Sequence, residues 1–398
     1  MSDAVAAEQI ATELKPPHKK LIICMDGTWN EPEEASEYSK YKEEPTNVVK
    51  IVRGIKPRDA NNVVQIAYYH TGVGTGPGPY DKWIGGALGV GLSRDVREAY
   101  RFIANNYIDG DRLYIFGFSR GAFAARALAA FIGCVGLLDK KHLAWLPEAY
   151  KIYRTHPDQR ENSNEERLFR KLNINRIKGV PIHFVGVWDT VGALGAPTPI
   201  LKRLTKRWVG FHDTSLGVDV KHAYHALAVD ERRKPFMPDL WTAQAREEQI
   251  VEQVWFAGVH SNIGGGYQKT VLSDIALKWM VERAAECGLD FKKHLSELNP
   301  KPIEKGRVEN SFSFIYKALG PYNREIGNNQ FGRQRKQPGV NEWVHWTALE
   351  ALTLGHSIDF SKGSNEEYGP KNLRQAHKDG LPEWKEHQKG RVWNYQNR

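Results

Sequence analysis

Cysteine is scarce in this chain: three residues in 398, Cys24, Cys134 and Cys287, lie far apart and form no C-x-x-C pair. That excludes a disulfide framework and leaves free thiols in a packed interior. No apolar run is long enough to cross a bilayer, and residues 1–20 lack the basic start and apolar centre of a secretion signal. Synthesis and folding in the cytoplasm are therefore expected, with any export independent of such a signal. H-E-x-x-H is absent, as are G-x-x-x-x-G-K-[ST] and a complete G-x-G-x-x-G. The glycines at 72, 74, 76, 78, 85, 86, 89 and 91 are then read as turns and close helix packing, not as a phosphate cradle. His222 and His225, three apart, would share a helical face and with Asp230 could make a metal site, but no H-E-x-x-H motif accompanies them. Neither a cofactor nor a metal is expected.

What is present suits a globular enzyme, with 41% hydrophobic and 26% charged residues, enough for a large buried core. The net charge of +9 attracts anions in general, phospholipid headgroups and nucleic acid among them. Basic residues are scattered, with short groups at Lys202, Arg203, Lys206, Arg207 and at Arg333, Arg335, Lys336. Solvated faces account for these groups, and peripheral contact with a membrane surface is compatible with them. No recognition helix or aromatic-basic array supports nucleic-acid binding, so none is expected.

Along the chain, residues 1–19 read as a disordered polar leader. Buried strands are expected at residues 21–25, 63–69, 113–116, 182–188 and 251–259, most of them unbroken apolar runs of the kind a doubly covered parallel sheet needs. A helix carrying Val96, Tyr100, Phe102 and Ile103 precedes the third strand, and a small-residue helix over residues 122–131 follows it. Alternation of this kind predicts an α/β fold with a mostly parallel central sheet flanked by helices. Residues 20–295 form the catalytic domain in this reading, with insertions near 139–178 and 196–245. Residues 296–398 make a C-terminal cap, whose Trp343, Trp346, Trp384 and Trp393 serve as a lid or complete the core.

The strongest chemical signal is Gly117-Phe118-Ser119-Arg120-Gly121, a G-x-S-x-G cluster between strand and helix. In that context the pattern describes a strained turn that lifts a serine hydroxyl clear of the backbone; the bland alternative is a Gly-rich turn with a capping serine. Two other reactive residues stand at the ends of later strands, Asp189 after Trp188 and His260 after Val259. Sites in open parallel sheets gather at the carboxyl ends of strands, so Ser119, Asp189 and His260 can converge. Serine needs a base to take its proton, which His260 can do while Asp189 holds its other ring nitrogen. Asp189 could instead cap a turn, and Asp213 or Asp230 could take its role. For an oxyanion hole, the N–H groups of Arg120 and of the loop Gly27-Thr28-Trp29 are the candidates. Asp26-Gly27-Thr28 also resembles the D-x-D-G-T phosphatase signature, but Cys24 stands where that chemistry needs its nucleophilic aspartate.

The chain resembles the DUF2235 family of α/β-hydrolases, which includes the Tle1-type phospholipase effectors of bacterial type VI secretion. The residues that carry the likeness are Asp26-Gly27-Thr28, Thr46-Asn47-Val48, Gly72-Val73-Gly74-Thr75, and the serine cluster extended through Ala122 to Arg126. Further on come Trp188-Asp189-Thr190-Val191-Gly192, the segment from His225 to Arg232 containing Asp230 and Glu231, and the segment from Gly258 to Tyr267 containing His260. The resemblance implies an α/β-hydrolase fold with Ser119 as nucleophile and His260 as catalytic histidine, Asp189 being the motif aspartate that fits a strand end. It also implies hydrolysis of carboxylic esters, in the effector branch the release of fatty acid from glycerophospholipids. The expectation is a serine hydrolase acting on lipid or other hydrophobic esters; the alternative is a non-catalytic binding or scaffold protein on the same fold.

Overall fold

The computed structural model describes residues 18–27, 44–72, 87–191, 215–309, 311, 322–327, 339–355, 357–360, 364–381 and 383–384. Eight strands form the central sheet: β1 (Lys19–Met25), β2 (Val64–His70), β3 (Arg112–Phe118), β4 (Ile182–Trp188), β5 (Val220–Ala228), β6 (Ile250–Phe256), β7 (Glu342–His345) and β8 (Glu383–Trp384). Their order is β8-β7-β6-β5-β4-β3-β1-β2, and every neighbouring pair runs parallel. Parallel neighbours need long crossovers, and helices supply most of them.

The run from Leu21 to Met25 is apolar throughout because both faces of β1 are covered. Ile22 and Cys24 belong to one core, with Val48 and Ile51 of α1 (Asn47–Gly54) and Leu272 and Trp279 of α7 (Val271–Glu286). Leu21, Ile23 and Met25 belong to the other, with Val96 and Tyr100 of α2 (Ala87–Asn106) and Ala122, Ala125 and Leu128 of α3 (Arg120–Val135). Period-two alternation thus divides one strand between two hydrophobic layers.

The chain first places β2 on one side of β1 and then crosses to β3 on the other. That reversal opens a crevice at the carboxyl ends of β1 and β3, where open α/β sheets hold their ligands. β3 delivers Ser119 to this point.

Several elements depart from the sequence reading. Residues 220–228, assigned to an insertion, form the central strand β5. His222 and His225 therefore sit on a strand and not on a helix, and residues three apart on a strand point to opposite faces. β6 stops at Phe256, short of the predicted residue 259, because Gly258 takes φ 121° and turns the chain. His260 consequently opens a short helix, α6 (His260–Gly264). The C-terminal region does more than cap, since β7 and β8 extend the sheet itself and Trp343 is buried in its core. Lys19, placed in the leader, is the first residue of β1.

Residues 139–178 contain α4 (Leu146–Arg154) and α5 (Asn164–Lys171), whose Leu146, Ala149, Ile152 and Phe169 pack on the α3 face. α8 (Trp346–Thr353) and α9 (Lys371–Lys378) follow β7. Thr28, Trp29, Asp213, Trp393, the basic groups at 202–207 and 333–336, and glycine-run residues 73–86 lie outside the described residues. Among the described residues no helix is long and apolar enough to cross a membrane.

Among the described glycines the tightest backbone approach is at Gly121, where a Cβ would come within 2.5 Å of the Asp26 carbonyl oxygen and closer still to that of Met25. Backbone cannot swing aside as a flexible side chain can. Gly121→Ala is expected to destabilise the fold by about 1–3 kcal/mol, read as a lowered midpoint in thermal unfolding.

Candidate active site

At the end of β3, Ser119 takes φ 59° and ψ −120°, a conformation rarely adopted by residues with a Cβ. It is held there from both sides. Its N–H donates to the Trp188 carbonyl at 3.1 Å, tying the turn to the end of β4, and its carbonyl accepts from Phe123 N–H at 3.2 Å inside α3. A Cβ on Gly117 would lie 2.7 Å from the Ala122 Cα, so the first glycine of the cluster is required by the closeness of strand and helix. Ser119 occupies the N-cap of α3 but makes no side-chain cap bond. Its hydroxyl instead meets the Nε2 of His260 at 2.8 Å.

The other ring nitrogen of His260 lies 2.6 Å from Asp189 Oδ2. Asp189, the residue after β4, has φ 41° and donates its N–H to the Ala226 carbonyl at 2.7 Å. The imidazole packs against Phe118, centroid to centroid 4.7 Å, and against the edge of Phe236 at 5.0 Å. Its backbone N–H donates to Glu231 Oε2 at 3.2 Å. Ser119, His260 and Asp189, predicted to converge, are thus brought into one hydrogen-bonded line.

Burial disfavours the imidazolium and lowers His260 below the ordinary histidine value of 6.5, although hydrogen bonding and charge from Asp189 act the other way. Asp189 is fully buried, which by itself would raise its carboxyl. The charge of Arg324, with hydrogen bonds from His260 and Arg324, outweighs that and holds the carboxyl well below the usual carboxylate range.

Asp230, weighed as an alternative acid, is engaged elsewhere: it accepts from Gly258 N–H at 2.7 Å and from the Tyr368 hydroxyl at 3.1 Å, and burial raises it to about 6. His225 is buried beside Asp189, where its Nε2 accepts from Thr190 N–H at 3.1 Å; burial pushes it down to about 3, so it is neutral. No cluster of three or more metal-ligating side chains occurs among the described residues.

Of the expected oxyanion donors, Arg120 N–H opens α3, where helical N–H groups have no intrahelical acceptor. The Gly27 N–H, by contrast, donates to Asp26 Oδ1 at 2.7 Å. Asp26 Oδ2 also accepts from the hydroxyls of Thr46 at 2.6 Å and Tyr69 at 3.0 Å. Asn47 Nδ2 donates to the carbonyls of Ile263 at 2.9 Å and Ser273 at 3.0 Å. The Asp26 and Thr46-Asn47 motifs therefore brace α6 against β1.

Arg324 was not among the residues singled out from sequence. It lies 135 positions from Asp189, and its Nη1 and Nη2 donate to the two Asp189 oxygens at 2.5 and 2.9 Å. No spacing or motif marks it, because its partner is set only by the folded chain.

An uncharacterised protein of Saccharomyces cerevisiae is 29% identical over 237 residues, which is 55% of this chain and 32% of the yeast protein. A crystal structure of an uncharacterised Pseudomonas aeruginosa protein matches with 19% identity and a TM-score of 0.43, over 74% of this chain and 49% of that one. The Tle1 effector bound to the VgrG spike of the type 6 secretion system matches with 20% identity and a TM-score of 0.35, over 64% of this chain and 53% of that one. The chain spans about a third of the yeast protein and about half of each solved relative. The family model for the catalytic domain of T6SS Tle1-like phospholipase effectors matches residues 19–283, and the chain belongs to that family.

Proposed function

We propose that this chain is a serine hydrolase that cleaves carboxylic esters of lipids or other hydrophobic acyl substrates through an acyl-enzyme on Ser119. The observation that carries the reading is the His260 ring held between Ser119 Oγ at 2.8 Å and Asp189 Oδ2 at 2.6 Å. Membership of a phospholipase effector family supports lipid-ester hydrolysis, and the half-buried Phe236 ring against His260 suits an apolar substrate.

The steps follow from the two contacts of the His260 ring. Neutral His260 takes the Ser119 proton on Nε2 as Oγ attacks the ester carbonyl, and Asp189 steadies the imidazolium through Nδ1. Negative charge then develops on the former carbonyl oxygen, for which the Arg120 N–H is the proposed donor. His260 passes its proton to the departing alcohol, and the acyl group stays on Ser119. Water, deprotonated by the same nitrogen, releases the acid and restores the serine.

A fluorophosphonate probe with peptide mass mapping tests the assignment directly. Wild type is expected to carry the adduct on Ser119, whereas Ser119→Ala and His260→Ala carry none; a folded wild type that stays unlabelled would leave a binding protein on a hydrolase fold. Asp189→Asn keeps the shape but removes the anion, and a loss of about 10⁴-fold in ester turnover is expected.

The pH dependence has a defined sign. The base works only when neutral, and burial has lowered its titration below 6.5. The acid limb of kcat/KM against a soluble short-chain ester should therefore lie below pH 6.5 and the rate stay level through neutrality; a limb above that value would contradict the site geometry.

A further inference from the structure

The family match ends at residue 283, yet the site draws on a residue well beyond it. We propose that Arg324 is a positioning residue whose guanidinium fixes both oxygens of Asp189 and thereby sets the orientation and basicity of His260. The inference rests on the serine-hydrolase reading and extends it to a segment outside the matched region.

The contact has the form of a fork on a carboxylate. Arg324 Nη1 donates to Asp189 Oδ1 and to the Ala228 carbonyl at 2.9 Å; Nη2 donates to Oδ2 and to the Phe236 carbonyl at 2.6 Å. Both side chains are fully buried. Asp189 Oδ1 also accepts from Ala228 N–H at 3.0 Å, so every donor to the carboxylate is fixed in place. The Asp189 carboxylate can turn away from His260 only by breaking these bonds together. A lysine at this position would keep the charge but not the planar fork.

The backbone that carries Arg324 is itself anchored. Asn372 on α9 donates to the Arg324 carbonyl at 3.2 Å and to the Val229 carbonyl at 3.0 Å, and Tyr368 reaches Asp230. The C-terminal segment thus grips the turn after β5, on whose residues Asp189 and His260 both depend.

The charge balance explains the second half of the proposal. The groups facing His260 are Asp189 at Nδ1, Ser119 at Nε2, Glu231 at its backbone N–H, and Arg233, which lies 3.5 Å over the Phe236 ring. Glu231 is paired with Arg233 at 2.8 Å. On α7, packed beside α6, Asp274 is paired with Lys50 at 2.7 Å and Arg283 with Glu286 at 2.9 Å. Without Arg324, Asp189 would be an uncompensated anion drawing a proton to His260. With it, the frame of Asp189, Arg324, Glu231 and Arg233 is formally neutral, so an imidazolium held by Asp189 leaves the site with one net positive charge, which the oxyanion forming on the substrate balances.

The test measures the rate of fluorophosphonate labelling at Ser119 against pH in the full chain, for wild type, Arg324→Gln and Arg324→Lys, with thermal unfolding to verify folding. Labelling reports the serine and histidine without requiring the natural substrate. Arg324→Gln is expected to label about 100-fold more slowly at neutral pH and to shift the acid limb upward by about one pH unit. Arg324→Lys should be slowed while its limb stays near that of wild type. A folded Arg324→Gln with an unmoved limb would overturn the proposal, whether its rate is intact or uniformly reduced. If Arg324→Gln does not fold, Arg324→Lys decides: slower labelling with an unmoved limb supports the fork, and wild-type labelling overturns it. Absence of labelling in wild type itself would defeat the hydrolase reading, and the two failures are thereby told apart.

Discussion

The buried charge on Asp189 is the constraint around which the rest is arranged. A carboxylate removed entirely from water must be met by donors in fixed positions or it will take up a proton. Here the donors come from three distant parts of the chain: the backbone at the end of β5, His260 at the start of α6, and Arg324 near the sheet's last strands. The same requirement explains why β4, β5 and β6 lie side by side in register, since Asp189, Ala228 and the turn to His260 then leave the sheet at one edge.

A second tier supports this arrangement without touching it. Asp26, Thr46 and Asn47 connect the end of β1 to the carbonyl of Ile263 in α6, while His225 fixes the backbone N–H of Thr190. The contrast between Asp189 and Asp230 illustrates how environment assigns roles. Both are buried aspartates at strand ends, but one faces a guanidinium and stays ionised, whereas the other faces a tyrosine hydroxyl and an amide and holds its proton more readily.

Legibility in the sequence followed burial. β1, β3 and β4 are apolar on both faces and can be read as unbroken runs, and the G-x-S-x-G cluster announces the turn that they support. β5 escaped because Lys221, His222 and His225 interrupt its apolar character; His225 tolerates burial through contacts of its ring nitrogens with Thr190 N–H and Gln253 Oε1, which no local pattern reveals. β7 and β8 escaped because four and two residues are too few to show a period. The meeting of Ser119, Asp189 and His260 was legible because strand ends and glycines accompany them. Arg324 was not, since a lone arginine in a polar stretch gives no indication of which carboxylate it will meet.

Because the sheet incorporates strands from both ends of the described chain, the order of synthesis matters. A nascent chain that has emerged only as far as α7 contains Ser119, Asp189 and His260 but lacks Arg324, β7 and β8. The acid would then be either exposed to water or buried without its counter-ion, and contacts so distant in sequence are slow to form. In a chain assembled in this way the Ser119–His260–Asp189 line gains its buried counter-ion last, once the ribosome has delivered the segment that closes the charge pair.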